Sequence, residues 1–242
     1  MKKIFISFGT THNYQNSIRR IKLQAENMNY FDEVIIFTEK DFDEEYLKQN
    51  GDFMTNNSRG YGYWCWKSYF IKKVMNTMND NDILVYADCG CTLVNTNVAI
   101  GRLDAYVKLC SKLEVGNLSF QMVFPEKSYT KSDVFHKLNA LDDTIMNSGQ
   151  LVGGIFVLRK CPNVIKLIDE YYNACQDHSV IDNSQSETKN DPTFVDHRHD
   201  QSVFSILRKK HGTIRIPDET WYENFNSPIA MTKPILATRL RF

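Results

Sequence analysis

The chain opens on a short, almost wholly apolar run, residues 3–8, that stops at Gly9-Thr10-Thr11. Such a run bounded by a turn signal predicts a buried strand. Residues 17–28 then carry Ile18, Ile21, Ala25 and Met28 at the spacing of one helix face. Residues 33–37 predict a second strand, and residues 41–49 a short helix stopped by Asn50-Gly51. The clearest helix is predicted over 64–78, where Trp66, Phe70, Val74 and Met78 recur every fourth position before Asn79-Asp80-Asn81-Asp82 breaks it. Residues 83–87 are mostly apolar, which predicts a central strand covered on both faces. Helix is predicted over 98–113 and strand over 118–124. Beyond Pro125 the order is less regular. A strand is predicted over 151–158 with a Gly153-Gly154 break inside it, a helix over 162–176 with Pro162 at its start, a short helix over 202–210 ended by Gly212, and a last strand over 213–216. The polar stretch 177–190 predicts a mobile loop, and the pattern from Trp221 onward is irregular.

Strand and helix alternate through the first half. That alternation predicts an α/β fold, an open and mostly parallel central sheet with helices on both faces. Ligands of such sheets sit beyond the carboxyl ends of the strands, where Thr10, Thr11 and Asp88 fall. The 242 residues, 42% hydrophobic and 12% aromatic, suffice for one domain with a sizeable core. Lys plus Arg equals Asp plus Glu at 29 each. Zero net charge argues against a nucleic-acid partner or a polybasic membrane surface, though not against a local basic pocket. No run approaches the ~20 apolar residues of a membrane span. The apolar run after Met1-Lys2-Lys3 is too short for a signal peptide. With six cysteines and no CxxC pair, the expectation is a cytoplasmic protein with free thiols.

Chemistry concentrates in Arg59-Gly-Tyr-Gly-Tyr-Trp-Cys-Trp-Lys67, followed by a carboxylate, Asp88, at the end of an apolar strand. Aromatic plates can stack on a base or sugar, cations can neutralise phosphate, and the carboxylate can hold Mg²⁺ or Mn²⁺. Each residue also has a plainer role. Asp88 is otherwise a cap or turn residue, and Lys67 a solvated helix residue. Trp66 lies on the apolar stripe and is expected in the core, whereas Tyr61 sits in a glycine-flanked loop that lets backbone approach a ligand. A third cluster is His197-Arg198-His199-Asp200-Gln201-Ser202. There Asp200 or Ser202 caps the next helix, or Asp200 and Gln201 face a reacting sugar carbon, and His199 is a candidate metal ligand. Cys89 and Cys91 with His197 or His199 admit a zinc reading, against which the C-x-C spacing argues. No GxGxxG after a strand, P-loop or GxSxG is present.

Together these segments, with Gly153-Gly154 and the tail Lys233-Pro-Ile-Leu-Ala-Thr-Arg-Leu-Arg241, resemble the small GT-A-fold glycosyltransferases of bacteria and large DNA viruses. The resemblance covers most of the chain. It implies a single GT-A-like (Rossmann-like) domain over 1–242, with a nucleotide-sugar half at 1–124 and an acceptor half at 125–242. It further implies a hexosyl- or deoxyhexosyltransferase that takes a nucleoside diphosphate sugar, often a UDP-sugar, with Mn²⁺ or Mg²⁺ on the diphosphate and a glycan or glycoprotein as acceptor. On that resemblance Gly9, Thr10, Thr11, Arg59, Tyr61, Lys67 and Asp88 bind the donor. Gly153 and Gly154 lie at the acceptor, Asp200 and Gln201 are the catalytic pair of a retaining enzyme, and Asp88 holds the metal; the histidine that some relatives place before a C-terminal Lys-Pro has no counterpart in 225–232, and His199 is the candidate substitute. The family's Asp-x-Asp is Asp88-Cys89-Gly90 here, so the second carboxylate is missing. A non-catalytic nucleotide- or sugar-binding protein with a degenerate metal motif is the alternative.

Overall fold

The computed structural model describes residues 1–241. Strands β1 (Lys3–Phe8), β2 (Glu33–Phe37), β3 (Ile83–Ala87), β5 (Asn117–Pro125), β6 (Gly149–Arg159) and β7 (Ile214–Pro217) form one sheet in the order β2-β1-β3-β6-β5-β7. β1 pairs parallel with β2 and β3, and β5 pairs parallel with β7. β6 runs antiparallel to both of its neighbours, so the sheet is mostly parallel with one reversed strand. A small second sheet pairs β4 (Thr92–Leu93) with β8 (Ile235–Leu236).

The period-two alternation of the strands divides the core. Ile4, Ile6 and Phe8 of β1, Leu84 and Tyr86 of β3, and Phe156 and Leu158 of β6 face one side. That side is covered by α4 (Trp66–Thr77), α9 (Pro162–Gln176) and α11 (His199–Lys210). Phe5, Val85, Ile155 and Val157 face the other side, covered by α1 (Thr11–Asn27) and α5 (Asn97–Lys112). Helices therefore lie on both faces, as the alternation predicts. Short helical turns α3 (Gly60–Tyr63), α6 (Glu126–Tyr129), α7 (Ser132–Lys137), α8 (Asp143–Met146) and α10 (His178–Ile181) join the larger elements. No helix among the described residues is long and apolar enough to cross a membrane.

Several boundaries differ from the sequence expectation. α2 (Glu44–Asn56) runs straight through Asn50-Gly51. Glycine costs a helix about 1 kcal/mol against alanine, but burial of Tyr46 and Met54 outweighs that cost. Asn50 is itself buried and tied to α9 and α10 by Gln176 (3.1 Å) and His178 (2.9 Å). β6 is continuous rather than broken at Gly153-Gly154. The glycines instead mark a slip in pairing, because Ser119 faces Phe156 while Gln121 faces Leu151. The stretch 177–190 is pinned: Lys131 binds Asp182 and Ser184, Asp133 accepts from the Glu187 and Thr188 amides, and Asn190 accepts from the Ser132 amide. Residues 221–241 hold only a 3₁₀ turn, Ala230–Thr232, and β8.

Candidate active site

The aromatic segment does not continue the helix predicted over 64–78. Gly60, Tyr61, Gly62, Tyr63 and Trp64 all have positive φ, from +53° to +81°. They form a left-handed turn closed by Tyr63 N donating to Arg59 O (2.8 Å) and Trp64 N to Gly60 O (3.1 Å). Each L-residue in that conformation costs about 1–2 kcal/mol. The glycines keep the cost down and are sterically required: a Cβ on Gly60 would meet the Trp64 ring at 2.4 Å. The Trp66 indole donates to Gly60 O (2.9 Å) and packs 3.9 Å from the Phe8 ring, so Trp66 is core, as its place on the stripe predicts. The turn ends where α4 begins, and it sets Lys67 in the first turn of that helix, pointing into the protein.

Lys67 is only 2% exposed. Its Nζ donates to Asp200 Oδ2 at 2.8 Å and to Gly153 O at 3.2 Å, and lies 3.4 Å from Asp88 Oδ1. Tyr86 OH also donates to Asp88 Oδ1, at 2.7 Å. Three of the sequence-predicted residues, Lys67, Asp88 and Asp200, thus meet at the carboxyl end of β3, although Asp200 is remote in sequence. Asp200 is buried and Asp88 half-exposed. Burial pushes the Asp200 carboxyl up to about 6, against the opposing pull of Lys67. Burial works to lower the Lys67 pKa, but Asp200 and then Asp88 more than offset it, and the ammonium stays charged.

The paired glycines form the floor. Asp88 N donates to Gly154 O (2.9 Å), and a Cβ on Gly154 would stand 2.4 Å from Asp88 Oδ2. A Cβ on Gly153 would stand 2.7 Å from the Gln201 Cβ. Gln201 is held at both ends of its amide: Oε1 accepts from Gly153 N (3.0 Å) and Nε2 donates to Gln150 Oε1 (2.7 Å). Behind it, buried Gln150 donates to Glu126 and Ser202, and Glu126 pairs with Lys209 at 2.8 Å. Sequence reading missed Tyr86, Gln150 and Glu126. Gln150 left a usable signal, a lone amide at the head of an apolar strand, which burial obliges to find partners.

A second group gathers at the ends of β1 and β2. Thr11 donates from its amide (2.8 Å) and its hydroxyl to Glu39. Tyr61 comes within 6.5 Å of the Phe42 ring, and burial and then the Glu39 charge raise its phenol pKa. The Thr10 hydroxyl is buried without a hydrogen-bond partner. Gly9 packs where a Cβ would strike Ile18 at 2.9 Å and Cys89 Sγ at 3.0 Å. Arg59 lies apart from Asp88, paired loosely with Asp196 (3.7 Å) on a polar cavity shared with Lys131, Asp182 and His197. His199 sits between the rings of Tyr63 and Trp64 and donates through Nδ1 to Ile181 O (2.7 Å). Burial lowers its pKa to about 4, and its Nε2 is buried without a partner.

No protein-family model matches the chain, and no curated protein matches it in sequence. Solved structures do match in three dimensions. A glycosyltransferase involved in glycosylation of the major capsid of PBCV-1 superposes with a TM-score of 0.51 over 98% of this chain and 92% of that one, at 8% identity. The glycosyltransferase GlyE of Streptococcus pneumoniae TIGR4 reaches 0.49 over 98% of this chain and 54% of that one, at 10% identity. The chain has a GT-A-like glycosyltransferase fold.

In that fold the resemblance implies a divalent ion, so the donor set bears on chemistry. Asp88 Oδ1 is engaged by Tyr86 and Lys67, which leaves one uncommitted oxygen. At the next position Cys89 is buried, and burial pushes its thiol up to about 12. The third position is glycine. His199 makes its contacts with α10 and the aromatic turn. Among the described residues no group of three or more His, Cys, Asp or Glu is arranged to hold a metal ion. The residues at Asp88 therefore do not fit a protein-held divalent ion, and the same observation removes support for the zinc reading. All six cysteines are free and buried.

The close approach of Gly154 to Asp88 is testable. Gly154→Ala should displace the Asp88 carboxylate and lower turnover by about 10–100-fold, with little change in melting temperature. Turnover within threefold (about 0.7 kcal/mol) of the parent would show that the position of Asp88 does not matter.

Proposed function

We propose that the chain transfers a sugar, a hexose or deoxyhexose, from a nucleoside diphosphate donor of the UDP type to a hydroxyl of a glycan or glycoprotein acceptor. The observation that carries this reading is the Asp88–Lys67–Asp200 cluster at the carboxyl end of β3, floored by two side-chain-free residues, within a glycosyltransferase fold. Gly9, Thr10, Thr11 and Tyr61 would cradle the nucleoside, where one buried hydroxyl awaits a partner. The half-exposed Asp88 would orient the donor sugar through its hydroxyls. Lys67 would hold Asp88 in place, and Asp200 would act as the positioning residue that keeps Lys67 charged and aimed. Gln201 would fix the Gly153 backbone beside the acceptor.

Asp200 is buried against Lys67, Asp88 shares Lys67 through one oxygen, and burial keeps the Cys89 and Cys91 thiols protonated. None of these groups is poised as a covalent nucleophile. A retaining transfer would then proceed by front-face attack and not by double displacement. The acceptor oxygen bonds to the anomeric carbon as the bond to the diphosphate oxygen breaks, and the acceptor proton passes to the departing diphosphate. Positioning and electrostatics would supply most of the rate.

A non-catalytic nucleotide-sugar binder is the second reading, favoured by Gly90 in place of a carboxylate. Incubation with a panel of UDP-sugars separates the two. Release of free UDP above the buffer rate supports transfer, whereas tight donor binding with no release in the presence of any acceptor glycan refutes it.

A further inference from the structure

The segment 238–241 crosses directly over the loop that follows β3. Leu240 N donates to Gly90 O at 2.9 Å, and the Thr238 hydroxyl donates to the same carbonyl at 3.0 Å. The Thr238 hydroxyl also meets that of Thr92 (2.8 Å). From α1, Ser17 donates to Leu240 O (3.0 Å), and Arg20 donates to the Cys89, Cys91 and Leu240 carbonyls. The strap is thus fastened on both sides. It also fills the space of the missing residue: a Cβ on Gly90 would stand 3.3 Å from Arg239 Cα and 3.4 Å from Leu240 O. A side chain at position 90 would need the strap to give by a few tenths of an ångström.

The strap brings charge in exchange. Arg239, with φ +54°, and Arg241 are both exposed and, among the described residues, pair with no carboxylate. Arg241 lies 5.9 Å from the Tyr14 ring on α1, and Tyr14 packs against Gly9. Farther along, burial holds the Arg198 guanidinium below its ordinary pKa against the pull of Tyr129, and the charge of Arg239 also lowers it. Arg198 is in turn locked flat on Tyr129 at 3.7 Å. The strap thus carries Arg239 across Gly90 and Arg241 to the start of α1, beside the loop carbonyls that Arg20 already binds. By contrast, Asp88, Lys67 and Asp200 carry one net negative charge when ionised, which cannot neutralise a diphosphate.

We infer that the arginine strap, Arg239 and Arg241, binds the donor diphosphate and supplies the positive charge that a two-carboxylate metal site would otherwise supply. Guanidinium forks match phosphate oxygens bidentately and need no ion to bridge them. Charge building on the leaving diphosphate is then offset by groups fixed in the chain. The inference rests on the sugar-transfer reading and adds to it the source of the leaving-group charge.

The test is calorimetric binding of UDP to the full chain, with Mn²⁺ and again with chelator. The parent, Arg239→Gln and Arg241→Gln are compared, with melting temperature as the fold control. Both side chains are exposed, so the variants keep the fold. The expected result is that the parent binds UDP in chelator with an affinity within about threefold of its value in Mn²⁺, and that each variant weakens binding about tenfold in chelator. Binding that requires Mn²⁺, or binding that neither variant weakens, overturns the strap and leaves sugar transfer standing. No binding of UDP under either condition overturns both.

Discussion

Lys67→Met should destabilise the protein by about 3–5 kcal/mol at pH 8. Lys67 is buried between two carboxylates, and methionine keeps most of its volume while removing the charge. Asp88 is half-exposed and can turn to water. Asp200 is buried and cannot, so its anion is left uncompensated. Its escape is to bind a proton. Burial already raises the Asp200 pKa to about 6 with Lys67 present, and loss of the opposing ammonium raises it further. In the unfolded chain the same carboxyl titrates near its ordinary value of about 3.9. Between the two pKa values the folded variant holds a proton that the unfolded chain has lost. Its stability therefore falls as pH rises across that window. Urea unfolding at pH 5 and pH 8 measures this: the deficit against the parent should be smaller at pH 5. Equal deficits at the two values would mean that the loss is one of packing and not of charge.

The same pair predicts the acid limb of activity in the parent. The Asp200–Lys67 ion pair exists only while Asp200 is ionised, so kcat should fall as pH drops through about 6. An acid limb near the ordinary aspartate range would separate Asp200 from the working state.

What the sequence made legible follows physical range. β1, β2, β3 and α9 were placed to the residue, because each is a run with one period and clear stops. Asp88 was legible for the same reason, since the end of a buried parallel strand is a local property. The partner of Lys67 was not. Asp200 lies on a different helix, and nothing within either segment encodes the pairing. The left-handed turn was hidden too. Gly60 and Gly62 signal permissive backbone, but Tyr61, Tyr63 and Trp64 are not residues from which positive φ is read. Asp200 and Gln201 do lie beside Asp88, Lys67 and Gly153, but there they hold Lys67, Gly153 and Gln150. Adjacency in sequence finds a site more readily than it finds roles. The strap was the least legible of all, because β8 is two residues long and its pairing with β4 spans most of the chain.

Asp88→Asn should lower turnover by on the order of 10²–10³-fold while leaving the fold intact. Asparagine keeps an oxygen for Tyr86 to donate to, so the local hydrogen bond survives. Two things change. The uncommitted oxygen beside Gly154 becomes an amide nitrogen, which donates where a sugar hydroxyl must be accepted. The charge that shares Lys67 with Asp200 also disappears, so Lys67 draws toward Asp200 alone. Both effects act at the donor sugar and not on its diphosphate. UDP binding should accordingly stay within about threefold of the parent (about 0.7 kcal/mol) while kcat collapses. That split distinguishes Asp88 from the strap arginines, whose loss weakens UDP itself. Kinetics with the active donor, alongside UDP titration of the same variant, reads both quantities. A variant that turns over normally removes Asp88 from the chemistry. One that loses UDP binding together with turnover moves Asp88 from the sugar to the diphosphate, and gives the metal reading of that carboxylate new support.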